Sequence, residues 1–259
     1  MERLTGSIYD YPKLYDVLFS TTWAAELRFL NECFLRYADE SVRRVFEPAC
    51  GTGRLLWRLA EQGYEVGGID LNAKAVAYCN RRFRLHGCPE TAVLADMTQY
   101  RLSPVADAAF NLVSSFCHLL TEKEAGDHLH CVADSLRPKG LYILGFHLIP
   151  EGECECDRET WAARRGSLQL VSELKTVRRD LQKRLDDVVF RVTATTPGGR
   201  RELRDRFPMR SYTLPQFESL LADVGRFATV ETYSFQFDIN SPIRVNRRTE
   251  DVVYVLRKR

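Results

Sequence analysis

The segment Val45-Phe46-Glu47-Pro48-Ala49-Cys50-Gly51-Thr52-Gly53 limits the fold of this chain more than any other. An apolar run ends in a carboxylate and passes through a glycine-containing turn into residues 54–62. There Leu55, Leu56, Leu59 and Ala60 recur at helical spacing, and Gly63 stops the helix. Glycine has no Cβ, so Gly51 and Gly53 can take left-handed angles and let a ligand lie against the main chain. The helix behind them points unpaired N–H groups at the same spot. The pattern then repeats: residues 64–69 run into Asp70 and residues 91–95 into Asp96. Between these runs Asn72 is placed to cap a helix carrying Val76, Cys79 and Phe83, which Gly87 ends. Such alternation requires a parallel sheet, whose strands share one carboxyl edge where ligands bind. Glu47, Asp70 and Asp96 are therefore expected along a single crevice.

The rest of the chain extends this architecture. Thr121 and Glu124 form a capping box before a helix reaching Leu136, and Arg137-Pro138-Lys139-Gly140 is expected to break that helix ahead of a strand at 141–146. A second box, Thr213 with Gln216, opens a helix that buries Phe217, Leu220, Leu221 and Val224 before Gly225. Two β-like runs, 229–237 and 251–256, suggest a terminal hairpin whose last strand is antiparallel to its neighbours. The expected fold is α/β: a Rossmann-like, doubly wound, mostly parallel seven-stranded sheet with that terminal antiparallel hairpin.

Residues 151–211 leave the strand–helix rhythm, and they are too many for an ordinary connection. Val188, Phe190, Val192 and Ala194 alternate with Val189, Arg191, Thr193 and Thr195, which gives a half-buried strand. Pro197-Gly198-Gly199 supplies a turn, 168–171 and 174–177 read as two further strands, and the charged return strand 200–207 is expected to be exposed. The insertion is thus an antiparallel β unit. In the leading segment, Trp23, Leu27, Leu30 and Phe34 fit one helix face.

A composition of 45% hydrophobic and 28% charged residues suits a globular enzyme, and a net charge of +2 spread along the chain excludes a basic nucleic-acid stripe. No secretory pattern and no apolar run of membrane-spanning length occurs, so no membrane partner and a cytoplasmic location are expected. The eight cysteines lack regular spacing and read as reduced thiols, with Cys79 and Cys131 in the core. Cys154-Glu155-Cys156, near His147, Glu151 and Glu153, has the donor types for a soft metal. No second Cys or His pair at zinc-site spacing accompanies it, so an acidic loop and no metal are expected. His128 and His130 lie two apart on a helix and face different ways.

The cofactor question turns on spacing. A dinucleotide fingerprint would need a third glycine where Leu56 stands. The acids after three successive strands, with the glycine turn after the first, instead resemble the class I S-adenosylmethionine-dependent methyltransferases of the small-molecule type. The resemblance is close over residues 47–149 and looser over the end of the chain. It implies that Glu47, Gly51 and Gly53 hold the methionine end of S-adenosylmethionine, that Asp70 takes both ribose hydroxyls, and that Asp96 accepts from the adenine amino group. Leu71 and Met97 would flank the adenine ring. Two positions depart from the family pattern: Ala49 replaces a frequent glycine, tolerable where φ is negative, and Asn111 replaces a frequent aspartate. Tyr9-Asp10-Tyr11-Pro12-Lys13-Leu14-Tyr15-Asp16 resembles the Tyr-Asp segments that fold over the cofactor in this family, with Tyr15 as the contacting ring. The implied organisation is an N-terminal helical lid at 1–40, a methyltransferase core at 41–150 and 212–259, and a substrate cap at 151–211. The competing use of that insertion is contact between two copies in a homodimer.

The chemistry implied is in-line displacement at a sulfonium methyl carbon by a small-molecule acceptor, leaving S-adenosylhomocysteine. Where the acceptor carries a proton, His118 and His147 sit at strand ends as candidate bases, and His147 is preferred because it leads into the insertion. Ser115 and Phe116 are expected to touch the cofactor. The alternatives are a binding module that keeps the cofactor pocket without transfer activity, and a dinucleotide-dependent oxidoreductase, which Leu56 and the third acid oppose. The acceptor atom, whether nitrogen, oxygen, carbon or sulfur, is left open by these patterns.

Overall fold

The computed structural model describes residues 2–152 and 158–259. In chain order the first elements are β1 (Glu2–Leu4), α1 (Pro12–Phe19), α2 (Trp23–Tyr37), β2 (Arg44–Pro48), α3 (Leu56–Glu61), β3 (Glu65–Asp70), α4 (Ala73–Leu85) and β4 (Ala92–Leu94). There follow β5 (Ala106–Asn111), α5 (Glu122–Ser135), β6 (Leu136–His147), β7 (Arg158–Arg165), β8 (Leu168–Asp180), β9 (Leu185–Thr196) and β10 (Gly199–Arg210). The chain closes with α6 (Leu214–Val224), β11 (Phe227–Tyr233) and β12 (Asp251–Lys258). Short 3₁₀ turns stand at Ile8–Asp10 and Ser115–His118.

The main sheet is seven-stranded, in the order β11-β12-β6-β5-β2-β3-β4. Its β2, β3, β4, β5 and β6 pair in parallel, while β12 runs antiparallel to both β6 and β11. Side chains alternate across the pleat, so successive residues feed opposite cores. Phe46, Tyr142, Leu144, Val252 and Tyr254 face α5 and α6 with Leu129 and Phe217. Val45, Ile143, Val253 and Val255 face α2, α3 and α4 with Phe29, Leu56 and Phe83. Helices on both faces of a mainly parallel sheet make the doubly wound class expected from sequence. The three predicted caps form: the Asn72 side chain accepts from the N–H groups of Lys74 and Ala75, and both capping boxes close.

The second sheet has five strands in the order β1-β10-β9-β8-β7. Two expectations are corrected, one in this sheet and one in the main sheet. The runs 168–171 and 174–177 are one strand, because the intervening Ser172 and Glu173 stay in the ladder opposite Val192 and Arg191. The charged return strand β10 does expose many side chains, yet its edge is covered by β1, with Glu2 opposite Arg201 and Leu4 opposite Leu203. In the main sheet, α5 ends before Arg137 as expected, but β6 starts at Leu136 and not at Leu141, so Arg137-Pro138-Lys139-Gly140 forms a bulge inside it. Leu136 already pairs with Ala106, and the ladder resumes with Leu141 opposite Ala108. Lys139 takes a left-handed φ of 60° to absorb the extra residues.

The leading residues do not act as one unit. Ile8, Leu14, Val17 and Leu18 share a core with Leu170, Phe190, Val192 and Leu203 of the inserted sheet, whereas Leu27, Phe29 and Leu30 of α2 pack on the main sheet. The residues expected to form one lid at 1–40 therefore divide, the first half packing on the inserted sheet and α2 on the main sheet. Among the described residues no helix is long and apolar enough to cross a membrane, and no group of three or more ligating side chains is set to hold a metal. Six described cysteines are free thiols; Cys154 and Cys156 lie outside the described residues.

Candidate active site

A cavity of about 400 Å³ opens at the carboxyl ends of the main-sheet strands and is closed over by the N-terminal segment; Asp70, Gly51, Met97, Tyr9, Tyr15 and His118 contribute to its wall. Asp70 sits at its centre. Its Oδ2 accepts from Gly51 N–H at 2.8 Å and its Oδ1 from Asn72 N–H at 2.8 Å. Each oxygen keeps further acceptor capacity, and the two are fixed in direction by different turns. Burial raises the Asp70 carboxyl above its usual range, and the two backbone donors oppose that rise.

The glycine turn is built differently from the expectation at one position. Gly51 has φ 52° and lines the cavity beneath Tyr15. Gly53 has φ 62°, and a Cβ there would meet Cys79 Sγ at 2.3 Å, so this glycine is needed to seat the turn on α4 and does not line the main cavity. Ala49 has φ 54° where a negative angle was expected. Left-handed backbone costs an L-residue roughly 1–2 kcal/mol, and glycine's extra freedom in the unfolded chain returns part of that. Ala49→Gly is therefore expected to stabilise the protein by about 0.5–1 kcal/mol in urea unfolding. A lower midpoint for the glycine variant would remove strain at this position from the account.

A smaller cleft, lined by Glu47, Arg54, Asn111, Ser115 and Tyr15, continues from the turn. Glu47 is buried with Oε2 unpartnered, and Arg54 is buried with Nη1 unpartnered while its other arm pairs with Glu26. Burial pushes Glu47 well above the carboxylate range, against the pull of Arg54. Asn111 Nδ2 donates to Pro48 O at 2.9 Å, which leaves its Oδ1 unpartnered as well. Buried polar atoms without partners cost about 1–3 kcal/mol each. A ligand end carrying both an ammonium and a carboxylate would satisfy this acid, amide and guanidinium together. Arg54 was not singled out from sequence. Its signal was position alone, directly after Gly53 where the turn enters the helix.

On the opposite side, Leu71 and Met97 line the main cavity, Leu71 being 68% exposed and Met97 8%. Asp96 itself does not line it, although its neighbours Ala95 and Met97 do. Its Oδ1 accepts from Thr98 N–H at 2.7 Å and Thr98 Oγ1 at 2.8 Å, which shapes the turn. His128, buried behind, bonds Met97 O through Nδ1 at 3.0 Å and Tyr142 Oη through Nε2 at 2.8 Å. Burial lowers its pKa to about 4, so it acts as a neutral brace for the Met97 wall.

Two expected contacts are corrected. Ser115 lines the cavity, but the Phe116 ring points away into the core, 5.6 Å from Phe146 and 5.6 Å from Tyr212, because successive residues of the 3₁₀ turn face opposite sides. His147 is also elsewhere. It pairs with Asp251 at 2.6 Å, lies 5.0 Å from the Phe235 ring, and lines a second cavity of about 310 Å³ under the inserted sheet with Cys117, Arg179, Asp186 and Arg210. The reason is strand order: β6 is separated from β2 by β5, so its end opens beside β12. His118 is the histidine at the main cavity, with Nε2 2.7 Å from Tyr9 Oη and its ring 5.4 Å from Phe207.

A doubly wound sheet with a crevice at the carboxyl ends of its strands defines a Rossmann-like fold. Residues 45–140 match the family model described as a methyltransferase domain. A putative methyltransferase of Geobacillus sp. (strain WCH70) is 25% identical over 54% of this chain and 55% of its own length. A tRNA U34 carboxymethyltransferase of Azotobacter vinelandii is 27% identical over 58% and 49%. A dTDP-3-amino-3,4,6-trideoxy-alpha-D-glucopyranose N,N-dimethyltransferase of Streptomyces venezuelae is 23% identical over 55% and 59%. The chain spans about half the length of the curated relatives it matches. Over the whole chain the fold is similar to a crystal structure of an S-adenosylmethionine-dependent methyltransferase from Clostridium acetobutylicum, with TM-score 0.77 and 15% identity, covering 97% of this chain and 99% of that one. Residues 45–140 are thus similar to a methyltransferase domain, and the fold of the chain is that of solved S-adenosylmethionine-dependent methyltransferases.

Proposed function

We propose that this chain transfers a methyl group from S-adenosylmethionine to a small-molecule acceptor. The observation that carries the reading is one crevice with two matched ends. Asp70 offers two oriented acceptors at one end, and the unpartnered Oε2 of Glu47 and Nη1 of Arg54 stand at the other. In this reading Asp70 holds the ribose hydroxyls, Leu71 and Met97 enclose the adenine, and Asp96 lies near its amino group. Glu47, Arg54 and Asn111 hold the amino-acid end, the turn with Ala49, Gly51 and Gly53 supports it from below, and Tyr15 and Ser115 cover it. When bound, the cofactor supplies an electrophilic methyl carbon on a sulfonium.

The protein's own contribution is alignment and exclusion of water. A cation reacting with a neutral nucleophile spreads its charge in the transition state, so a dry, ordered pocket supplies much of the rate without a covalent protein nucleophile. The inserted sheet forms the roof, with the second cavity beneath it providing space for the body of an acceptor. A net charge of +2 without a basic stripe favours a small acceptor over the tRNA of one relative. Calorimetry with S-adenosylmethionine, S-adenosylhomocysteine and NAD, followed by methyl-transfer assays over amino-sugar and metabolite acceptors, tests the reading. Ligand at a hundredfold excess over Kd should stabilise the fold by about 2.7 kcal/mol. Stabilisation by NAD alone contradicts the proposal, and cofactor binding without transfer to any acceptor favours a binding module.

A further inference from the structure

We propose that His128, seconded by Cys131, is a positioning residue for the nucleobase of the cofactor and sets the preference of the site for a base with an exocyclic amino group. This rests on the cofactor reading above. Neither residue lines the cavity. Both stand on α5, three positions apart and therefore on one face of that helix. His128 Nδ1 lies 3.0 Å from Met97 O, and Cys131 Sγ donates to Thr98 O at 3.2 Å, so α5 grips two successive carbonyls of one turn.

That turn needs a grip from outside. The other parallel crossovers within the core each carry a helix, with α3 between β2 and β3, α4 between β3 and β4, and α5 between β5 and β6. Residues 95–105, which join β4 to β5, carry none. Backbone groups without a helix or ladder of their own must find other partners when they are taken from water. Side chains of α5 supply them here.

The donors form a single directed chain. A carbonyl only accepts, so the contact with Met97 O puts the His128 proton on Nδ1, and Nε2 then accepts from Tyr142 Oη at 2.8 Å. His128 and Tyr142 are both fully buried, and burial keeps the imidazole neutral near pH 7. Beyond the carbonyl, the same peptide unit carries Thr98 N–H, which donates to Asp96 Oδ1 at 2.7 Å; Thr98 Oγ1 donates to that oxygen at 2.8 Å. Bonds linked in this way polarise and strengthen one another. With Oδ1 engaged twice, the carboxylate is held in one rotation, and among the described residues no donor reaches Oδ2. Oδ2 is the acceptor left for a ligand. An exocyclic amino group donates to it, whereas a base with hydrogen at that place leaves it unpaired.

The test is calorimetry of the full chain with S-adenosylhomocysteine and with its analogue in which hydrogen replaces the exocyclic amino group. The wild type should prefer the amino compound by about 10- to 100-fold, the worth of one hydrogen bond to a charged acceptor. His128→Phe keeps a ring but strips the donor from Met97 O, so the peptide can turn and carry Thr98 N–H away from Asp96. Its preference should fall to within about threefold. His128→Gln, which offers one donor and one acceptor on a planar group, should restore a preference above about tenfold. Cys131→Ala removes only the second grip and should reduce the preference about threefold, a result that stands even if His128→Phe does not fold. A nitrogen-15 spectrum of the wild type should show His128 Nδ1 protonated and Nε2 bare at pH 7. Equal affinity of the wild type for the two compounds, a folded His128→Phe chain with the wild-type preference, a Cys131→Ala chain with the wild-type preference, or Nδ1 without its proton would each overturn the proposal. Failure of the wild type to bind S-adenosylhomocysteine at all would instead reject the cofactor reading beneath it.

Discussion

Asp70→Ala is expected to weaken S-adenosylmethionine binding by about 10²–10³-fold in calorimetry. The carboxylate does two jobs. It is the acceptor for a vicinal diol in the proposed binding mode, and hydrogen bonds to a charged group are worth about 1.5–3 kcal/mol each. It also fixes the first turn through Gly51 N–H and the second through Asn72 N–H. Asp70→Asn should be nearly as damaging, because one of its two acceptors becomes an amide NH₂ facing a backbone donor. The pH response has a definite sign. Asp70 titrates above the usual carboxylate value, so cofactor affinity carried by the ionised form should fall as pH is lowered toward that raised value. An alanine variant that keeps affinity within threefold would place the ribose elsewhere.

The second large effect is expected at Asp16, which is buried where α1, the glycine turn, α4 and the inserted sheet meet. Its Oδ1 accepts from Thr52 Oγ1 at 3.1 Å, and its Oδ2 pairs with Arg82 at 2.5 Å and Arg165 at 2.6 Å. Arg82 also donates to Thr52 O at 3.1 Å, so the arrangement ties the turn directly to the inserted sheet. Removing one partner of a buried ion pair leaves uncompensated charge, and Asp16→Ala should cost about 3–5 kcal/mol. Against a total stability of about 5–15 kcal/mol, that approaches unfolding at physiological temperature. Burial alone would raise the Asp16 carboxyl, but the bonds and charges of Arg82 and Arg165 outweigh it and hold it below 3.8. Its contribution is thus present above the unfolded value and is lost as pH falls through the depressed folded one. Urea unfolding of the variant measures the loss; a cost below about 1 kcal/mol would mean that these charges are solvated in the native state.

Much of the core was legible from local pattern. Apolar runs ending in Glu47 and Asp70 became adjacent parallel strands, and Asn72, Thr121 and Thr213 became caps, because strand period and cap chemistry act over a few residues. The strand at 188–195 was equally readable from its alternation, and it became the middle of the inserted sheet. Other features had no local signal. Glu2–Leu4 pairs with β10 across nearly two hundred residues, so nothing near the start of the chain announces a strand. His147 and His118 looked alike as residues following strands, and only strand order sent one to Asp251 and the other to Tyr9. Phe116 resembled a pocket residue until its 3₁₀ turn aimed the ring at Phe146.

By itself the sequence determined which groups stand at the sheet's carboxyl edge. A strand's length and polarity decide where it ends, and the acids and glycines lie at those ends. What only the tertiary structure decided is which of these groups face each other across the crevice. That includes the left-handed Ala49, the Glu47–Arg54 cleft and the Tyr9–His118 contact. Contacts between remote segments depend on strand order and on how the cap and leading helix pack, and both arise from burial summed over the whole chain, which no short run of residues encodes.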